Sequence, residues 1–264
     1  MKKFNLSLLA ASCLFAACNT AKIEDPVQYG TLSVALADEP VVEVVTKAAT
    51  VLDKDSAEAE KYAVSVFSDA GVQQGSTVSF KDFAPVTLPL GTYYVTAENL
   101  SETEAEKENG AMRLYGRSDN VELSLNSLVN TAEVNCEVVN AKVSVEFESA
   151  SLGVITDLKV VLKGGTTDSR KNTGLEIKES ESITETWFNP STLSYTISGK
   201  FNGKDVTPVE GTKTLAAKDN IKLLVKVNKD NGQLSVASIT VDTTINQGET
   251  IEPGFNPYNN ENLN

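Results

Sequence analysis

A chain without histidine has few ways to move protons, and none of the 264 residues here is histidine. That removes the commonest general base, the usual Ser and Cys triads and the typical zinc ligand sets. Carboxylates are what remain in quantity: 36 Asp and Glu against 23 Lys and Arg, for a formal charge of −13. Two acids at a set separation suffice for glycoside hydrolysis, but no pair stands apart here from an acidic solvated surface. Asp53 and Asp55 begin like a calcium loop, yet Glu58 stands where the sharp-turn glycine belongs and Val64 where the bidentate glutamate belongs. No metal ligand set is assigned. A phosphate-cradling Gly-rich loop, a dinucleotide fingerprint and a Ser-x-x-Lys spacing are all missing from the sequence. The expectation is a chain that is no enzyme and uses no cofactor.

Cysteine carries a sharper signal. Lys2 and Lys3 precede an apolar run from Phe4 to Ala17, and Cys18 follows. Positive charge, a short apolar core and small residues before the cut make a secretory signal. The run is shorter than the ~20 residues a spanning helix requires. Phe15-Ala16-Ala17-Cys18 resembles a bacterial lipobox, in which the signal is cut just before the cysteine and the sulfur is acylated. Cys18 is therefore the expected lipidation site, and three acyl chains there would hold durably where one holds only marginally. The expected address is the outer membrane, lipid-anchored and exposed at the surface. Asn19 is not the residue of inner-membrane retention, and Lys22-Ile23-Glu24-Asp25 resembles the acidic surface-export signal of Bacteroidales-type lipoproteins. Cys136, between Val134 and Val138, reads as a buried thiol on a strand.

Removing residues 1–17 takes away two lysines and no acid, so the mature chain is more acidic still. Nucleic acid and anionic headgroups repel such a surface, and no nucleic-acid partner is expected. Trp187 and Phe188 form the most prominent aromatic spot, and exposed rings are platforms on which a sugar face stacks. They are the candidate glycan-binding residues of the alternative reading, a glycan-binding accessory lipoprotein.

These groups must be positioned by strands. Period-two alternation dominates after residue 30: Leu32, Val34, Leu36; Tyr62, Val64, Val66; Tyr93, Val95, Ala97; Val121, Leu123, Leu125; Val143, Val145, Phe147. It resumes with Leu158, Val160, Leu162, then Leu193, Tyr195, Ile197, then Ile221 to Val227, and from Leu234 to Val241 with an offset that predicts a bulge. Asn202-Gly203 marks a tight hairpin, as does Asp230-Asn231-Gly232. Residues 53–61 are a candidate short helix, and 101–109 a loop or helical turn. The expected fold is mainly β, with tandem antiparallel β-sandwiches after the signal peptide. The expected division is a signal at 1–17, a lipidated linker at 18–29, sandwiches at 30–140 and 141–244, and an extended tail at 245–264.

Several segments resemble a Bacteroidales lipoprotein family with no assigned activity, distantly akin to fimbrillins. They include the lipobox, Tyr29-Gly30-Thr31-Leu32-Ser33, Leu90-Gly91-Thr92-Tyr93-Tyr94-Val95, Val139-Asn140-Ala141-Lys142-Val143-Ser144-Val145 and Ile239-Thr240-Val241-Asp242. The resemblance implies transthyretin-like or fimbrillin-like sandwiches. It also implies a surface or pilus-associated role in adhesion or structure, with other fimbrillin-like subunits or surface glycans as partners. Thr46-Lys47-Ala48 looks like the fimbrillin Thr-Arg-Ala processing site, with Lys47 in place of arginine. Asp55-Ser56-Ala57 and Asp242-Thr243-Thr244 are similar to Bacteroidales O-glycosylation acceptors, which makes Ser56 and Thr243 candidates for modification.

Overall fold

The structure, a computed structural model, describes residues 26–38, 50–149, 153–180, 185–229 and 232–242. Alternating apolar residues build strands because successive side chains point to opposite faces. The first half carries β1 (Tyr29–Asp38), β2 (Thr50–Val51), β3 (Ala63–Ser68), β4 (Val78–Ser79), β5 (Val86–Pro89) and β6 (Gly91–Glu98). A one-turn helix, α1 (Glu102–Ala105), precedes β7 (Leu114–Arg117), β8 (Val121–Leu123) and β9 (Val129–Val138). The second half carries β10 (Ala141–Phe147), β11 (Thr156–Lys163), β12 (Leu175–Lys178), β13 (Thr186–Phe188) and β14 (Thr192–Phe201). It continues with β15 (Lys204–Asp205), β16 (Val209–Thr214), β17 (Asn220–Val227) and β18 (Leu234–Asp242).

The fold is mainly β. One core gathers Leu32, Leu36, Val64, Val95, Leu123 and Cys136; a second gathers Val143, Leu158, Val160, Ile177, Ile197 and Ile221. Each of the aliphatic side chains among them contributes about 1.5–3 kcal/mol when fully buried. The Sγ of Cys136 is buried and donates to the carbonyl oxygen of Ala97 at 3.5 Å.

Two pairings depart from the antiparallel expectation, and they reveal an internal repeat. β1 lies antiparallel to β5 on one side and parallel to β9 on the other, from Thr31 opposite Val129 to Asp38 opposite Cys136. β10 does the same, antiparallel to β13 and parallel to β17. β3 with β4 and β6 matches β11 with β12 and β14. The copies differ at one edge. β9 takes β7 as its outer neighbour, which makes the first sheet continuous in the order β2-β1-β9-β7-β6-β3-β4. β17 instead takes β18, so the second sandwich splits into β13-β10-β17-β18 and β12-β11-β14-β15, with β16 on β14.

The β17–β18 register shifts between Leu224 and Val225, the bulge that the apolar offset predicts. Asn202 and Gly203 form the two-residue turn between β14 and β15, both at positive φ. Residues 53–61 hold only a 3-10 turn at Ala59–Lys61. Leu125 does not continue β8: a turn bridging Ser124 and Ser127 leaves it exposed.

Candidate functional site

The most elaborate polar arrangement lies where the two sandwiches meet. β9 passes into β10 through Val139 and Asn140 alone. Asn140 is fully buried; its side-chain oxygen accepts from the N–H of Arg113 and its amide donates to the carbonyl of Ala111. The connection therefore has no slack, and α1 is pressed against the second sandwich.

α1 starts on a capping box, in which Ser101 caps the N–H of Glu104 and Glu104 reaches back to Ser101. The helix ends a turn later and delivers Glu106, only 3% exposed, into the loop after β11. There the N–H groups of Thr166, Thr167 and Asn189 donate to its carboxylate at 2.8–3.1 Å. Successive backbone N–H groups of this kind form a concave anion nest. Burial pushes the Glu106 pKa up, but the donors from Thr167, Asn189 and Thr166 outweigh it, so the group sits below its ordinary value. Gly165 makes the approach feasible. Its φ is +75°, and a Cβ there would stand 2.0 Å from a Glu106 carboxylate oxygen.

A cation completes the junction. Arg170, on a single π turn at Ser169–Thr173, is 3% exposed. Its Nε donates to the Glu106 backbone carbonyl at 3.0 Å and its Nη2 to that of Glu108 at 2.5 Å. The guanidinium lies 4.7 Å from the centre of the Phe188 ring, a favourable cation–π placement. Burial lowers the Arg170 pKa while the nearby Glu106 raises it. Asn189, also buried, donates its amide to Glu102 and Thr166. A carboxylate saturated by backbone donors is a poor proton acceptor, so this arrangement locks two bodies together.

The candidate residues fall into this picture unevenly. Phe188 is fully buried beneath Arg170, so its ring offers no face to a sugar. Trp187 is half-buried against the first core, with its backbone N–H donated to Asn109. The Ser56 hydroxyl donates to the carbonyl of Asp53 and accepts from the N–H of Ala59, closing the turn before Ala59–Lys61. Cys18, Lys47 and Thr243 lie outside the described residues. Glu106, Gly165, Arg170 and Asn189 were not among the candidates from sequence. The available signal was Arg170, one of three arginines in a chain that otherwise uses lysine, because arginine is the cation suited to buried, planar hydrogen bonding.

The end of the second sandwich away from the junction carries two open grooves. One, of about 930 Å³, has Ile155 and Leu158 in its lining, together with ion pairs Lys159–Glu176 at 2.7 Å and Lys200–Asp157 at 3.2 Å. The other, of about 690 Å³, lies between Phe201, Val206 and Leu234. Among the described residues no group of three Cys, Asp or Glu side chains gathers to hold a metal, and no helix is long and apolar enough to cross a membrane.

Among solved structures, the chain is similar to the fimbrial anchor protein Mfa2 from Porphyromonas gingivalis, at 13% identity over 80% of this chain and 96% of that one, with a TM-score of 0.49. It is also similar to a candidate cell adhesion protein from Bacteroides eggerthii, at 13% identity over 82% and 96% of the two chains, TM-score 0.45. A fimbrial assembly protein from Parabacteroides distasonis matches at 10% identity over 80% and 98%, TM-score 0.39. These likenesses are distant. No curated protein matches the sequence. The profile of the domain of unknown function DUF4493 matches residues 28–252, and the chain belongs to that family.

Proposed function

We propose that this chain is a non-enzymatic, lipid-anchored protein of the outer membrane, surface-exposed, acting as a rigid post in adhesion or in seating fimbrillin-like subunits. One observation carries the reading: the direction of β1. Because β1 runs parallel to β9, and β9 leads straight into the second sandwich, Tyr29 starts at the pole farthest from that sandwich. A tether at Cys18 therefore pulls on one pole and leaves the other, with its two grooves, facing outward. The junction supports this role, since Glu106 and Arg170 hold the sandwiches in fixed orientation. The partners of the outward pole are other fimbrillin-like subunits or surface glycans.

The test combines metabolic labelling with a palmitate analogue and protease shaving of intact cells. The expected result is label on the wild-type chain, none on Cys18→Ala, and loss of the protein on shaving. Absence of label would overturn the anchor, and survival of the labelled protein would overturn surface exposure.

A further inference from the structure

We propose that the pole around Tyr29 is a membrane-resting face, seated on the polar–apolar boundary of the lipid surface to which Cys18 ties the chain. The inference rests on the anchor reading above and adds a contact surface to it.

The observation is where the exposed apolar side chains fall. Among the described residues eight large hydrophobics are exposed, and five of them, Val27, Tyr29, Leu125, Leu128 and Val129, belong to this pole. The backbone brings them together. The N–H of Thr31 donates to the carbonyl of Leu128 at 2.6 Å, the N–H of Leu90 to that of Gln28 at 2.9 Å, and Gly91 lies opposite Leu123. Scattered exposed apolar residues need no explanation, but a cluster does.

The stretches that meet here, 26–37, 83–97 and 123–132, contain no Asp, Glu, Lys or Arg in a chain whose charged residues make up 22% of the whole. Glu122 and Asp69, both beside Thr92, stand at the rim. Elsewhere the acidic surface is repelled by anionic headgroups. An uncharged pole can approach them without that penalty, and an exposed tyrosine suits the interfacial region, apolar at one end and wet at the other.

The occupant follows from chain length. Pro26 is eight residues after Cys18, and eight extended residues span no more than about 29 Å. A lipid surface is thus always within reach of this pole, whereas a protein partner must be recruited to it. Interfacial attachment strengthens with buried apolar area, so the five side chains add to the hold of the acyl chains and fix the post upright.

The experiment uses the full acylated protein in phosphatidylethanolamine vesicles that contain a lipid with a nitroxide high on its acyl chain. A polarity-sensitive fluorophore is attached through Leu128→Cys or, at the opposite pole, through Lys204→Cys; Cys136 is buried and does not compete. The expected result is several-fold stronger quenching at position 128 than at 204, lost when Leu125→Glu and Val129→Glu are added while palmitate remains attached. An acylated protein with equal, weak quenching at both positions overturns the inference and leaves the anchor standing. So does a label that is shielded but unquenched in a protein that self-associates on sedimentation, because a protein then covers the pole. A chain that carries no palmitate overturns the anchor reading, and this inference falls with it.

Discussion

Glu106 is one of four alternating glutamates in Glu102, Glu104, Glu106 and Glu108, and nothing in that run distinguishes it. Only the packed structure does so, because three backbone donors and an arginine come from residues at least sixty positions away. This is why the junction was illegible in sequence: two of the donors belong to a loop whose own pattern is Gly, Gly, Thr, Thr, and the third, Asn189, follows β13. Glu106→Gln keeps the volume but turns an amide NH₂ toward backbone N–H donors, and losing hydrogen bonds to a buried charged group costs about 1.5–3 kcal/mol. Urea denaturation of the variant should show a loss of that order. Gly165→Ala introduces a Cβ into the carboxylate and an L-residue at φ +75°, and should cost a comparable amount; an unchanged midpoint would mean the lock is not under tension. The pH dependence has a definite sign. A carboxylate whose folded pKa lies below its ordinary 4.5 contributes stability that is full above that value. The contribution is lost as pH falls through the lower folded value. Acid titration of wild type should therefore lose stability more steeply than titration of Glu106→Gln.

At the scale of elements the alternation was a reliable guide. β6, β11 and β17 each bury the residues that the period-two pattern selects, such as Val95 and Ala97 or Leu158, Val160 and Leu162, while β1 buries Leu32 and Leu36 and leaves Val34 half-buried. Leu36→Ala in the first core and Ile221→Ala in the second should each cost about 2–5 kcal/mol, measured by equilibrium unfolding. Alternation carries no information on partner or direction, so the parallel pairings of β1 with β9 and β10 with β17 could not be read from it. Residues 53–61 misled for a related reason: Ala, Glu and Lys favour helix, but the Ser56 and Asp53 hydrogen bonds close a turn first. At Leu125 the alternation persists in sequence while the Ser124–Ser127 turn ends the strand.

At the scale of the whole molecule, two cores share one locked seam. Calorimetry on wild type is expected to give a single cooperative transition, and Glu106→Gln or Arg170→Lys should separate it into two, since lysine lacks the planar fork that spans Glu106 and Glu108. Two transitions already present in wild type would show that the seam couples nothing.

The eight-residue ladder from Thr31 opposite Val129 to Asp38 opposite Cys136 also decides how the molecule answers traction. A tug through the residues before Tyr29, resisted from β10 onward, draws β1 and β9 in opposite senses along their common axis. Every rung is then loaded sideways at once, in shear, and none can be peeled open singly. The first sandwich is strung to bear tension in the direction in which a moored chain would be pulled.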